Sequence, residues 1–272
     1  MKKGLALLLL SLAAAVFADS GLEITVEDNS TGLTITGSKG SAKILDIPDT
    51  IDGKSVTLIS SGAFTGKGLT EVKIPDSVTV IGEGAFAFNR LTTVTIGNNV
   101  TSIGRGAFTG NRLTSVSIGT SVTSIGKGAF SNNLLGSVVI PDTVTVIDDY
   151  AFFNNNLGSI DIPASVTLIG EGAFSGNRLT SIEVGSGVTN VRDGAFYNNK
   201  LTSVTIPPAL ENLGKRAFDT RSSDGRIRGN VVYTDTYGNI LYTTASNFDA
   251  YYASNGKRPG RYTYSEGSWT LE

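Results

Sequence analysis

Apolar residues return along most of this chain with a period of 22. The fixed point is an Ala-Phe pair: Phe64, Phe86, Phe108, Phe130, Phe152, Phe174, Phe196 and Phe218 each follow an alanine, from Ala63 to Ala217. Between Leu69 and Phe218 the units align without a gap. In one unit, Leu91, Val94 and Ile96 come first, Val100 and Ile103 follow, and Ala107-Phe108 completes the set. Val94 and Ile96 alternate with Thr93 and Thr95, the period of a half-buried strand. A single unit cannot bury apolar groups placed at several points around its circuit. Stacked units can, because each residue then sits over its copy in the coil below. The pattern predicts a solenoid with phenylalanine as a continuous internal column. One short parallel strand per coil, at about 4.8 Å per strand, makes a sheet of about seven strands and roughly 30 Å.

The polar positions punctuate this frame. Pro75, Pro141, Pro163 and Pro207 share one position with Gly97, Gly119 and Gly185; either residue ends a strand. Gly104 and Gly106 bend the chain ahead of Ala107-Phe108. Asn89, Asn111, Asn133, Asn155, Asn177 and Asn199 stand three residues after a phenylalanine. They read as a buried ladder satisfying backbone groups at a turn.

Four segments follow. Residues 1–18 read as a signal peptide: Lys2 and Lys3 precede the apolar run Leu5 to Val16, and Val16-Phe17-Ala18 offers a cleavage site. That run is too short to span a bilayer, which takes about 20 residues. Residues 19–44 carry two alternating runs, Leu22-Ile24-Val26 and Leu33-Ile35, and read as an N-terminal β cap. The solenoid occupies residues 45–218. Its first copy departs from the pattern, with Asp52 to Ser55 inserted and Lys67 in the asparagine position. Residues 219–272 fall out of the repeat: a polar loop, a hairpin signal around Tyr237-Gly238-Asn239, and a tail with Tyr251, Tyr252, Tyr262, Tyr264 and Trp269. This segment reads as a C-terminal cap, with a separate attachment module as the sharper alternative.

Composition narrows the chemistry. The 272 residues include no cysteine and no histidine. That excludes disulfides, thiolate metal sites and cysteine nucleophiles, and removes the commonest general base and metal ligand. No cofactor or metal is expected. Formal net charge is −2; without Lys2 and Lys3 it is −4, from 20 basic and 24 acidic residues. No polycationic surface for nucleic acid is present. Nor does a second apolar stretch offer the mature chain a transmembrane anchor.

The L-x-x-L-x-L spacing of Leu91, Val94 and Ile96 is that of leucine-rich repeats. The wider phrase from Leu91 through Gly106-Ala107-Phe108 to Asn111 resembles the treponemal, BspA-like subfamily, over about residues 45–218. The resemblance implies a leucine-rich-repeat solenoid with few helices and a β-rich C-terminal cap. It also implies a bacterial protein, secreted or at the cell surface, with the periplasm as an alternative location. The implied function is non-enzymatic: protein–protein interaction or adhesion, with host or bacterial surface and matrix proteins as partners. Separately, the basic row Arg90, Arg112, Arg178 and Lys200 could meet acidic or sulfated glycans or an acidic protein segment. A structural spacer or envelope-layer component is the competing expectation.

Specificity must lie where the copies disagree. The outward strand row is Lys73, Thr95, Ser117, Val139, Asp161, Glu183 and Thr205, on a sheet that solenoids commonly use as a concave binding face. Phe88, Phe153 and Tyr197 lie just past the Ala-Phe turn and are candidate anchors. Arg90, Arg112, Arg178 and Lys200 form a basic row interrupted by Leu134 and Asn156. The row Glu83, Arg105, Lys127, Asp149, Glu171, Asp193 brings Asp149 and Glu171 onto adjacent coils. A carboxylate pair there could serve a glycan-active enzyme, but a solvated row of charge is the simpler reading.

Overall fold

The computed structural model describes residues 11–16, 21–201, 203–218, 230–235, 240–244, 262–265 and 268–271. Among them there is no helix. The chain winds as a β-solenoid of about 22 residues per coil. Phe64 through Phe218 form one column: successive ring centroids are 5.2–5.4 Å apart and successive planes lie within 11° of parallel. A spacing above the strand-to-strand rise of about 4.8 Å offsets the rings sideways, the arrangement favoured by the ring quadrupole. Seven of the rings, Phe64 to Phe196, are fully buried, so sliding one coil by a residue would push a phenyl group into water.

The asparagines bind the coils together. Asn133 Nδ2 donates to the Phe108 carbonyl of the preceding coil (3.0 Å) and to Phe130 O of its own (3.1 Å), while its Oδ1 accepts the Leu113 amide (3.0 Å). Asn89, Asn111, Asn155, Asn177 and Asn199 repeat this pattern. In the first coil Lys67 takes that position and donates to Ser38 O of the N-terminal hairpin at 2.7 Å.

Each coil contributes to two parallel sheets. The second sheet is unbroken, running from Lys54–Ile59 through Val80–Ile81, Ser102–Ile103, Ser124–Ile125, Val146–Ile147, Leu168–Ile169 and Asn190–Val191 to Asn212–Leu213. A threonine ladder rides along it. Thr101, Thr123, Thr145, Thr167 and Thr189 each donate Oγ1–H to the threonine carbonyl one coil back, at 3.1–3.3 Å.

The first sheet, at the Leu-x-x-Val-x-Ile positions, corrects the expectation of one continuous sheet. It pairs Ile44–Asp46, Glu71–Lys73, Thr93–Thr95 and Ser115–Ser117, then stops. Residues 137–139 join no strand, and residues 159–161 make only the bridge Asp161 to Glu183. Pairing resumes between Ser181–Glu183 and Ser203–Ile206. The two interrupted coils are those in which glycine replaces the threonine of this face. Thr70, Thr92 and Thr114 each donate Oγ1–H to the carbonyl of the coil before, and Gly136 and Gly158 have no hydroxyl to do so. Glycine also costs more entropy to hold extended. The core beneath opens slightly there: Ile118 and Val138 are each 9% exposed, whereas Leu113 and Leu135 beside them are at 0%.

At the N-terminal end Leu22–Asn29 and Gly32–Gly40 form an antiparallel hairpin, and Gly32–Gly40 pairs parallel with Lys54–Ile59. The backbone of Ser11–Val16, inside the segment read as a leader, pairs antiparallel with Leu22–Asn29; residues 1–10 and the expected cleavage site after Ala18 lie outside the described residues. At the other end the expectation that the repeat fails after Phe218 needs amendment. The backbone of Asn230–Asp235 adds to the first sheet, pairing Ser203 with Val232, 29 residues on rather than 22. It then pairs antiparallel with Ile240–Thr244, and Tyr262–Ser265 pairs with Ser268–Leu271. Tyr237-Gly238-Asn239, Tyr251 and Tyr252 lie outside the described residues.

Candidate binding surfaces

Phenylalanine, asparagine and the aliphatic positions are consumed by the core, so the side chains that differ between coils carry the surface chemistry. On the first sheet, Lys73, Thr95, Ser117, Val139, Asp161 and Glu183 are exposed and Thr205 is half-buried. Val139 is the most exposed large apolar side chain described, at 83%, and it stands in the interrupted coils. Lys73, Thr95 and Ser117 do more than share a face. They line a groove of about 680 Å³ where the strands end, walled on one side by the first coil. Asp46, Asp49 and Asp76 line it as well, and Asp46 is the neighbour of Lys73 on the adjacent strand. Asp76 accepts the Asn98 amide at 2.6 Å, which fixes one carboxylate oxygen at the groove's edge. Val139, Asp161, Glu183 and Thr205 lie outside the groove. The irregular first coil, legible in the sequence only as a departure from the repeat, supplies the groove's wall.

The charge row is locked into pairs. Arg105 Nε sits 3.8 Å from Glu83. Asp149 takes Lys127 at 3.3 Å, Arg192 at 3.1 Å and the Glu171 amide at 2.9 Å. Burial raises the Asp149 carboxyl pKa, but the Glu171 amide, Lys127 and Arg192 together outweigh it and hold the group below its ordinary 3.8. Glu171 accepts a hydrogen bond from the Tyr150 hydroxyl. That bond, with burial and the Glu171 and Asp149 charges, pushes the Tyr150 phenol up to about 12. A general acid needs a raised carboxyl, and Asp149 is driven the other way. Among the described residues no group of three or more His, Cys, Asp or Glu side chains is placed to hold a metal ion.

The three extra aromatics fall on two different rows. Phe88, 68% exposed, occupies a left-handed backbone position (φ 56°) filled by glycine or asparagine in the other described coils. Its ring leans on Gly110 of the next coil, where a Cβ would stand 2.7 Å from it. Phe153 and Tyr197 are half-buried one residue earlier in the coil. Phe153 packs edge-on against Tyr150 at 5.9 Å, and the Arg216 guanidinium lies 4.6 Å above the Tyr197 ring. Sequence reasoning missed both partners. Tyr150 and Arg216 stand where Gly62, Gly84, Gly106, Gly128, Gly172 and Gly194 precede the Ala-Phe pair, and both keep the glycine conformation, with φ of 57° and 56°. The signal was visible as two coils lacking that glycine. The basic row of Arg90, Arg112, Arg178 and Lys200 is exposed, and Leu134 interrupts it with 48% of its surface open.

A column of stacked phenylalanines, a laddered asparagine and parallel strands at a 22-residue period define a leucine-rich-repeat solenoid. The chain belongs to the BspA type leucine rich repeat family, whose model matches residues 43–158 and 145–237 in six copies. The second match runs past Phe218, in agreement with the added strand Asn230–Asp235. Solved structures of leucine-rich-repeat proteins are similar to parts of this chain. A leucine rich cell surface protein from Faecalibacterium prausnitzii is 26% identical, over 81% of this chain and 76% of its own, with a TM-score of 0.46. The T. pallidum leucine rich repeat protein is 25% identical, over 70% of this chain and 83% of its own, with a TM-score of 0.49. A leucine-rich repeat protein from Bacteroides ovatus is 22% identical, over 80% of this chain and 71% of its own, with a TM-score of 0.43. No curated protein matches the chain. The family is that of a protein-interaction repeat protein, and among the described residues no helix is long and apolar enough to cross a membrane.

Proposed function

We propose that this is an exported, non-enzymatic adhesion protein that engages a surface or matrix protein through the first-sheet groove. The observation that carries the reading is the groove itself, which Lys73, Thr95 and Ser117 line together with Asp46, Asp49 and Asp76. Such a surface offers both signs of charge and several hydroxyls, and suits a polar protein segment bearing a basic side chain. Export rests on the signal-peptide pattern of residues 1–18. The neighbour described as a cell surface protein supports a location outside the cytoplasm for this chain too.

The test is saturable binding of the immobilised full chain to a panel of matrix proteins and partner cells, with Lys73→Glu and Asp76→Lys beside the wild type. Binding to a panel member, weakened at least about tenfold by either reversal, is the expected result. Absence of saturable binding to every panel member, or binding indifferent to both reversals, overturns it. Protease treatment of intact cells, which should remove the protein, checks its location.

A further inference from the structure

A second concavity lies away from the groove, on the turn that carries the Ala-Phe pair. It has a volume of about 340 Å³ and is lined by Tyr150, Tyr197 and Arg216, with Gly172 and Gly194 between them. Clefts that hold small ligands run from about 300 to 1,000 Å³, so this one is the size of a single small ring or two.

Its walls are set by the residues that break the repeat. Tyr150 and Arg216 occupy positions where six other coils carry glycine in the left-handed region. A bulky residue is rarely found there, and such conformations collect at ligand-binding sites. The Tyr150 ring is seated over Gly172, whose Cβ would come within 2.6 Å of it. Its hydroxyl is tied to Glu171, Lys127 Nζ lies 5.6 Å from its centroid, and Phe153 abuts its edge. The ring is therefore held in place before any ligand arrives. Tyr197 stands two coils on, braced by Arg216 of the coil after it. Tyr150 and Tyr197 so stand about two coil rises apart, roughly 10 Å, across a floor of glycines.

The rim decides the ligand class. Glu171, Asp193, Lys215 and Arg216 all line it, two charges of each sign, which select neither an anion nor a cation. Aromatic walls attract polarised C–H groups to their electron-rich faces, while carboxylates and cations beside them accept from and donate to hydroxyls. A neutral ring with an apolar C–H face and a hydroxylated edge satisfies both demands. We propose that this cleft is a glycan subsite that takes a neutral pyranose ring, terminal or within a chain, between Tyr150 and Tyr197. The site is independent of the groove and brings a different ligand class to the same molecule.

The test is native affinity electrophoresis of the full chain in gels containing soluble β-glucan, galactomannan, xylan or chitin-derived oligosaccharides. Titration calorimetry with the matching disaccharide follows. Tyr150→Gly restores the residue that the neighbouring coils use at this φ, so it removes one wall while suiting the backbone. Tyr197→Ala removes the other, and Phe88→Ala serves as an aromatic control outside the cleft. Retardation by at least one polysaccharide, competed by its disaccharide, is expected. The affinity should fall about tenfold in Tyr150→Gly and in Tyr197→Ala, and stay unchanged in Phe88→Ala. Retardation by none of the polysaccharides overturns the proposal, as does equal binding by the two wall variants and the wild type. Either failure would leave the groove reading standing.

Discussion

Each buried asparagine closes three backbone groups on two coils, so removing one exposes the cost of leaving them open. Asn133→Ala strands the carbonyls of Phe108 and Phe130 and the Leu113 amide, and should lower unfolding free energy by about 2–3 kcal/mol. Asn133→Asp should cost at least as much, because a carboxylate directs lone pairs at two carbonyls. Urea titration of both variants followed by circular dichroism makes the comparison. Asp149 supplies a pH-dependent case. Its pKa is depressed in the fold, so its contribution is present above the ordinary 3.8 and is lost as pH falls through the lower folded value. Asp149→Asn should destabilise the protein by about 1 kcal/mol at neutral pH, and the gap should close below pH 3.8. A gap that persists into acid would contradict the pairing with Lys127 and Arg192. Tyr150 runs in the opposite sense. Its phenol is raised to about 12, so its contribution holds below pH 10 and disappears as pH climbs through 12. The ultraviolet difference between wild type and Tyr150→Phe should show that late-titrating tyrosine.

At the scale of the element, the two sheets differ because one keeps its threonine hydroxyls and the other loses two. The second sheet carries a threonine in every coil from Thr79 to Thr189 and never breaks. The first sheet breaks at Gly136 and Gly158. A Cβ built at either glycine meets nothing within 4 Å, and neither has a positive φ. Gly136→Thr with Gly158→Thr should therefore fit, extend the hydroxyl ladder and stabilise the fold by about 1 kcal/mol. Amide hydrogen exchange at residues 137–139 and 159–161 should slow in this double variant. Exchange as fast as in the wild type would mean the break has another origin.

The whole molecule is close to a sum of coils and their neighbours, with the Arg192–Asp149 pair reaching two coils. Excision of residues 91–112 removes one full unit and leaves every phenylalanine and asparagine in register. The shortened chain should fold, keep its circular dichroism shape, and be about 5 Å shorter by small-angle scattering. It should unfold at lower urea, because one interface is gone. Excising half a unit should abolish folding, since the internal column would then meet polar side chains. The ends obey different rules: the hairpin Leu22–Gly40 covers one end of the second sheet, and Asn230–Asp235 extends the first sheet at the other.

The period alone was enough to determine the solenoid, the phenylalanine column and the asparagine ladder. Each of these is a residue stacked on its own copy, so spacing along the chain is also position in space. Exposure of the strand row followed from the same alternation. What the period could not convey was anything that depends on two unlike coils meeting. The break in the first sheet comes from two adjacent glycines whose effect is a missing hydroxyl one coil away. The groove needs the inserted first coil to stand beside Lys73, Thr95 and Ser117. The cleft needs Tyr150 to project over Gly172 and Arg216 to lie over the Tyr197 ring, both side chains in a glycine's conformation. Repetition is a property of the sequence, whereas a binding surface is made where repeats differ, and only the stacked structure shows which differences become neighbours.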